Sequence, residues 1–371
     1  MKKILTFFFS TVLILIPLHS ASAEGQVVQI TSSPHQDFSG VFQNDNLSQE
    51  LTPSGRLGLL VFVPLASQKT WLIDPALIDE VVAMSNSYSL ASNASPIGTE
   101  IASAWLLQLK KTTLGNDVVA LAYGNPDVSL ANRLAPSELK SYYYFGKTRL
   151  EIFLGRPVRS GINGGWSLGK TNLTGKQIKN YSMNRKALTR LIRVVNDPAL
   201  TLMRAKLAQL LSPNLDQSAK LFYSKNATEV VNMQLHKLRI NPGKYQITTE
   251  SAKLPVTVIN DFPVDVRVNI VMTPKNSRVK VESLREVLIP AQSKKQLEIQ
   301  LNVIAPGETT VVARIEDLSG VAVSQPSLLQ VNSTVIDKRV TWFTTGAAIL
   351  LLLAAIAQSV RRVRKGRKFE D

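Results

Sequence analysis

The chain has 371 residues, 43 Lys and Arg against 27 Asp and Glu, a net charge of +16 and no cysteine. That excludes a disulfide framework, a thiolate metal site and a cysteine nucleophile. With only His19, His35 and His236, far apart in sequence, a metal centre built from histidine pairs is not expected.

Lys2 and Lys3 precede an apolar run from Ile4 to Leu18, and Ala21-Ser22-Ala23 supplies small residues for cleavage. Residues 1–23 therefore read as a signal peptide, with the mature chain starting at Glu24. Residues 24–56 are polar apart from Val27 to Ile30 and read as a linker or loosely attached edge. An α/β head is expected over 57–234. GLLVFVPL, from Gly58 to Leu65, reads as a strand covered on both faces. Asp74-Pro75 then starts a helix with Leu77, Val81 and Met84 on one face, because aspartate caps free amides and proline suits the first turn.

Ile101, Trp105 and Leu109 mark a second amphipathic helix ending at Lys110 and Lys111. DVVALAYGNPD repeats the pattern of strand, turn and capping aspartate, with Asp127 in the place of Asp74. This strand–helix rhythm predicts a parallel sheet, a compact or partial barrel. RLEIFLG reads as a third strand and the glycine- and cation-rich stretch behind it as an exposed loop. Helices resume with Leu188, Ile192 and Val195, and Asp197-Pro198 caps another carrying Leu200, Met203, Leu207 and Leu210.

From 235 to 335 the period changes to two. Val264, Val266, Val268 and Ile270 alternate with polar residues, as do Leu297, Ile299, Leu301 and Val303. Further short strands fit 255–260, 278–282, 309–315, 321–323 and 327–331. Together they predict an all-β immunoglobulin- or fibronectin-like sandwich. Residues 340–360 hold no charge, and 21 helical residues span about 31 Å, the thickness of a bilayer core. Trp342 and Phe343 mark one interface. Arg361, Arg362, Arg364 and Lys365 begin a basic tail, 361–371, that places the C-terminus in the cytoplasm. The expected whole is an α+β multidomain protein: head, sandwich and one C-terminal transmembrane helix, with its bulk outside the cell membrane.

TWLIDPALIDEV, AWLLQL, VVALAYGNPDV, LPVTVINDFPVDVRVNI and the terminal span with VRRVRKG resemble an actinobacterial family of exported, membrane-anchored proteins of unknown function. The likeness covers Leu57 to about Val128 and Gly243 to Lys368. Members are often encoded beside the lipid II flippase of peptidoglycan synthesis. The resemblance implies a cell-envelope setting and transfers no catalytic residue.

Between Lys140 and Asn196 stand twelve cations and one acid, Glu151. The cations are Lys140, Lys147, Arg149, Arg156, Arg159, Lys170, Lys176, Lys179, Arg185, Lys186, Arg190 and Arg193. In an exported protein such a surface suits anionic envelope glycopolymers, lipid head groups or a cell-wall synthesis membrane protein; nucleic acid is not expected. GGWSLGKT from Gly164 to Thr171 matches a phosphate-binding loop, but the polar exit through Gly175 lacks the helix that such a loop needs, and no cofactor is expected. Asp74 and Asp127 both follow an expected strand, where barrel enzymes place catalytic groups. They are the candidate acid and nucleophile or base of an alternative, glycoside-hydrolase-like reading. Their capping role explains them without catalysis, so a non-enzymatic binding or scaffold protein is the expectation.

Overall fold

The computed structural model describes residues 27–64, 68–166, 169–334 and 338–366, with side chains in the last segment at Trp342 and from 345 to 361. The signal-peptide reading lies outside the described residues. In chain order the head comprises β1 (Val27–Ile30), α1 (Asn46–Leu51), α2 (Arg56–Phe62), β2 (Thr70–Ile73), α3 (Pro75–Ser85), α4 (Thr99–Thr112) and β3 (Asp117–Ala120). It continues through α5 (Val128–Leu134), α6 (Pro136–Leu154), β4 (Arg159–Ser160), α7 (Gly175–Ile192), α8 (Pro198–Lys206) and α9 (Gln217–His236). Short 3-10 turns lie at Gly161–Asn163 and Leu207–Leu211.

The four strands form one parallel sheet in the order β1-β2-β3-β4. Among the described residues β1 and β4 do not pair, so the sheet is open rather than a closed barrel. The residues read as a linker or loosely attached edge supply its edge strand. Val28 and Ile30 face the core with Phe42, Leu47 and Leu51, while Val27 and Gln29 on the other face of β1 are exposed.

Two apolar runs read as strands are helical. The Leu57 run is α2, whose Leu57, Gly58 and Val61 are buried while Leu59 and Val63 are half exposed. RLEIFLG is the end of α6, which starts at Pro136 and stops at Gly155 with φ of 69°. Helical packing over a short apolar run outweighs the strand reading because such a run fits either period.

The sandwich holds β5 (Leu238–Ile240), β6 (Gly243–Ile247), β7 (Ser251–Asn260), β8 (Val266–Pro274), β9 (Val279–Val281), β10 (Leu284–Ile289), β11 (Ser293–Val303), β12 (Gly307–Glu316) and β13 (Ser327–Ser333). One sheet runs β10-β8-β12-β13-β6 and the other β5-β7-β11-β9. Their inner faces meet through Val256, Val258 and Ile299 on one side and Val268, Ile270 and Ile315 on the other. The stretch 321–323 forms only a bridge, Glu316 with Ala322.

The later helices of the head share a core with the sandwich, and the parallel sheet with α1 to α4 packs a core of its own. Leu188, Leu191, Val230 and Val231 belong to the same buried cluster as the sandwich interior, and only Lys237 separates α9 from β5. Residues 338–366 form α10 (Lys338–Gly366). Among the described residues no helix is long and apolar enough to cross a membrane.

Candidate functional site

The carboxyl end of the parallel sheet gathers several of the head's buried polar groups. Asp74 follows β2 and is 4% exposed. Its Oδ1 accepts from Ala76 N at 3.0 Å, capping α3, and from Gly124 N at 2.9 Å, pinning the turn after β3. Burial pushes its carboxyl up to about 7, against the pull of the two backbone bonds. Asp127 caps α5 through Leu130 N at 3.0 Å, and its other oxygen accepts from Thr171 N at 2.9 Å. It thereby ties down the far end of the glycine-rich stretch. Each aspartate is committed to backbone donors and neither lines a described cavity. The structure brings both to the same end of the sheet as fold-holding caps; both oxygens of Asp127 are engaged, whereas Asp74 uses only Oδ1.

One residue the sequence did not single out, Glu80, lies at the centre. It is 2% exposed on α3. One oxygen accepts from His35 N and the other from Gln209 Nε2, each at 3.0 Å. Burial pushes Glu80 up to about 7 and lowers Lys206, whose Nζ donates to Gln36 at 2.8 Å. Beside them Arg149 grips Asp79, and Tyr123 donates to the same carboxylate at 3.0 Å. Ser32, His35 and Glu50 stand together, with Ser32 Oγ 3.2 Å from His35 Nε2 and 3.1 Å from a Glu50 oxygen. Glu50 approaches that same ring nitrogen at 3.9 Å. An activated serine needs the carboxylate on the opposite nitrogen, orienting the ring, so this trio is a structural brace. Burial lowers His35, keeping it neutral.

The twelve cations divide. Arg149 pairs with Asp79, Arg159 with Asp117, Arg185 with Glu138, Arg193 with Asp317 and Lys147 with Glu151. Arg156 donates to the carbonyl of Thr113. Lys140, Lys170, Lys176, Lys179, Lys186 and Arg190 are exposed and make no ion pair among the described residues.

The structure selects one helix from this spread. On α7, Lys176, Lys179, Lys186 and Arg190 are all exposed and make no ion pair among the described residues, and at 100° per residue they fall within an arc of about 80°. They make a stripe about 21 Å long on a helix with no acidic residue; Arg193, just past its end, is exposed but paired with Asp317. The helix is well founded: Thr174 and Gln177 form a capping box, and Tyr181, Leu188 and Leu191 are buried behind the stripe. It lies parallel to α9, joined by Asn180 to Ser224 and Asn184 to Thr228.

The phosphate-loop match fails structurally, since α7 begins at Gly175 and no helix leaves from Lys170. No group of three potential metal ligands occurs among the described residues. Of the membrane-flanking candidates, Trp342 is 81% exposed and Arg361 is exposed on α10. The side chains of Phe343, Arg362, Arg364 and Lys365 lie outside those described.

Residues 167–368 match a family described as "Family of unknown function (DUF6049)". No curated protein matches the chain. Among solved structures, the chain is similar to WR4, an MSP family member of C. elegans, at 10% identity over 26% of this chain and 98% of that chain, TM-score 0.22. It is also similar to native alpha-2-macroglobulin of E. coli, at 16% identity over 26% of this chain and 6% of that one, TM-score 0.22. A third similar structure is the PapD-like domain 7 of human CEP192, at 12% identity over 27% of this chain and 87% of that one, TM-score 0.20.

Proposed function

The chain belongs to a family of unknown function, DUF6049, and from that premise we propose that it is a non-enzymatic, membrane-tethered envelope protein whose α7 face binds an anionic polymer. The α7 stripe carries the reading: four cations on one exposed face, unpaired among the described residues and with no acid on the helix, focus positive potential along a line that suits an extended chain of phosphates or carboxylates. The tether is supported by α10, where Leu350, Leu351, Leu352 and Leu353 are each more than half exposed. A helix apolar on successive faces has no aqueous resting place. The six cations between Arg361 and Lys368 then favour the cytosolic side for the tail. The resemblance to exported proteins encoded near cell-wall synthesis genes suggests an envelope glycopolymer as the polyanion. The carbohydrate-active alternative has less support, because both aspartates already serve as helix caps bonded to backbone amides and neither lines a described cavity.

The test is binding of the full chain to long-chain polyphosphate, and separately to vesicles with and without anionic lipid, across a salt series. Wild type is expected to bind polyphosphate and to weaken at least tenfold between about 50 and 500 mM salt. The Lys176→Gln, Lys179→Gln, Lys186→Gln, Arg190→Gln variant should lose both the affinity and the salt slope. Unchanged binding by that variant, or a flat salt profile for wild type, removes the mechanism. Preference for the vesicles alone moves the ligand from polymer to lipid.

A further inference from the structure

A second surface of the head has the opposite character. Between the segment that joins β1 to α1 and the first turns of α9 lies an open cleft of about 460 Å³, within the range of small-ligand sites. It stands at the carboxyl-end side of β1, the side on which open parallel sheets offer crevices. No Lys or Arg lines it. Its one carboxylate, Asp216, accepts from Ala219 N and from Ser218 Oγ, each at 2.7 Å. Those bonds at the start of α9 hold it below the usual carboxylate range. The cleft therefore has nothing to hold an anion and only a committed carboxylate to offer a cation.

What it offers instead is amides, and most are anchored at one end and open at the other. Gln43 donates through Nε2 to Asp37 at 3.3 Å, leaving its Oε1 open. Asn44 accepts from Asn46 N at 3.0 Å, leaving its Nδ2, and Asn214 donates to the Ser32 carbonyl at 3.2 Å, leaving its Oδ1. The Asn46 side chain is exposed on the same rim. Donors and acceptors are thus pre-positioned at little further entropic cost.

Beside them Phe222 is 42% exposed. Its ring stands edge-on to Tyr223 with centroids 5.2 Å apart at 81°, and Tyr223 is fixed by its hydroxyl to the Pro34 carbonyl at 2.8 Å. A held apolar ring flanked by neutral hydrogen-bonding groups matches a pyranose, which has one C–H face and a rim of hydroxyls. We infer that this cleft is a binding site for an uncharged oligosaccharide, separate from the cationic face of α7.

Titration calorimetry of the full chain with chitotetraose and with maltotetraose tests it in about 0.5 M NaCl, where contacts with the α7 face are screened. At least one tetrasaccharide should bind. Phe222→Ala should weaken it by about tenfold or more, the Gln43→Ala, Asn46→Ala pair by several-fold, and the four-residue α7 variant not at all. Phe222 is a surface residue, so an unchanged circular dichroism spectrum and melting temperature separate lost binding from lost fold. Failure of both sugars to bind, or wild-type binding by Phe222→Ala, overturns the site. Loss confined to the α7 variant also overturns it, by assigning the sugar to the cationic helix. Because the two surfaces are read under different salt conditions with different probes, either can fail without the other.

Discussion

Glu80 and Asp74 hold their protons more tightly in the folded chain than in the unfolded one, since burial lifts both to about 7 from ordinary values near 4. Their contribution to stability is thus full below about pH 4 and is lost as pH rises towards 7. His35, lowered by burial, acts in the opposite sense below about pH 6.5 and offsets part of this, and the depressed carboxyls of Asp117 and Asp317 do so only below their ordinary values. Thermal melts should therefore show a Tm several degrees higher at pH 5 than at pH 8, with the difference reduced in Glu80→Gln. At Asp74 the backbone bonds give a second expectation. Asp74→Ala removes a cap and orphans the buried Gly124 amide, costing about 2–3 kcal/mol in denaturant melts. Asp74→Asn keeps an acceptor there and should cost less than half as much. The capping role of Asp74, Asp127 and Asp197 was legible in the sequence because Asp-Pro or Asp before an apolar turn acts within three residues. Glu80 was not legible: it stands beside the apolar face of α3, and the groups that satisfy it there, His35 and Gln209, are both distant in the chain.

α6 rests on the parallel sheet at a glycine. A Cβ on Gly146 would lie 2.8 Å from the carbonyl oxygen of Leu121 and 3.1 Å from the Tyr123 amide, both backbone atoms that cannot turn aside. Tyr123 N also bonds to the Tyr142 carbonyl at 3.1 Å, fixing that approach. In an ordinary helix Gly→Ala gains about 1 kcal/mol; Gly146→Ala should instead destabilise by about 1–3 kcal/mol through overpacking, read by urea midpoint. α6 also carries Glu138, 2% exposed between Arg185 of α7 and Arg204 of α8. Glu138→Ala leaves two partly buried guanidinium groups without their carboxylate and should cost about 3–5 kcal/mol.

The helices starting at Asp74, Thr99 and Asp197 and the long alternating strands β8, β11 and β12 could be read from periodicity. The Leu57 run and RLEIFLG could not. Local pattern leaves helix and strand equally open there, and the decision rests on α4, where Trp105 Nε1 donates to the Leu57 carbonyl at 3.1 Å. Nor could twelve scattered cations be reduced to one helix face before α7 had boundaries.

The helices α5 to α9 share one buried cluster with the sandwich, so these two should unfold together, while the parallel sheet with α1 to α4 keeps its own cluster. Calorimetry of the full chain is expected to give one principal transition covering both, and protease should find no early cut between His236 and Leu238. A sequence divided by its change of period at about residue 235 suggests two independent units. Periodicity reports secondary structure, however, and is silent on whether two units are welded. The weld is α9: about 30 Å of helix that begins at Asp216 and passes through a single residue into the edge strand β5. Such a member is a lever arm without a pivot. A ligand that tipped its first turn by a few degrees would tilt the β-sandwich joined to its far end, so occupancy far out on the head would be felt as a torque at the base.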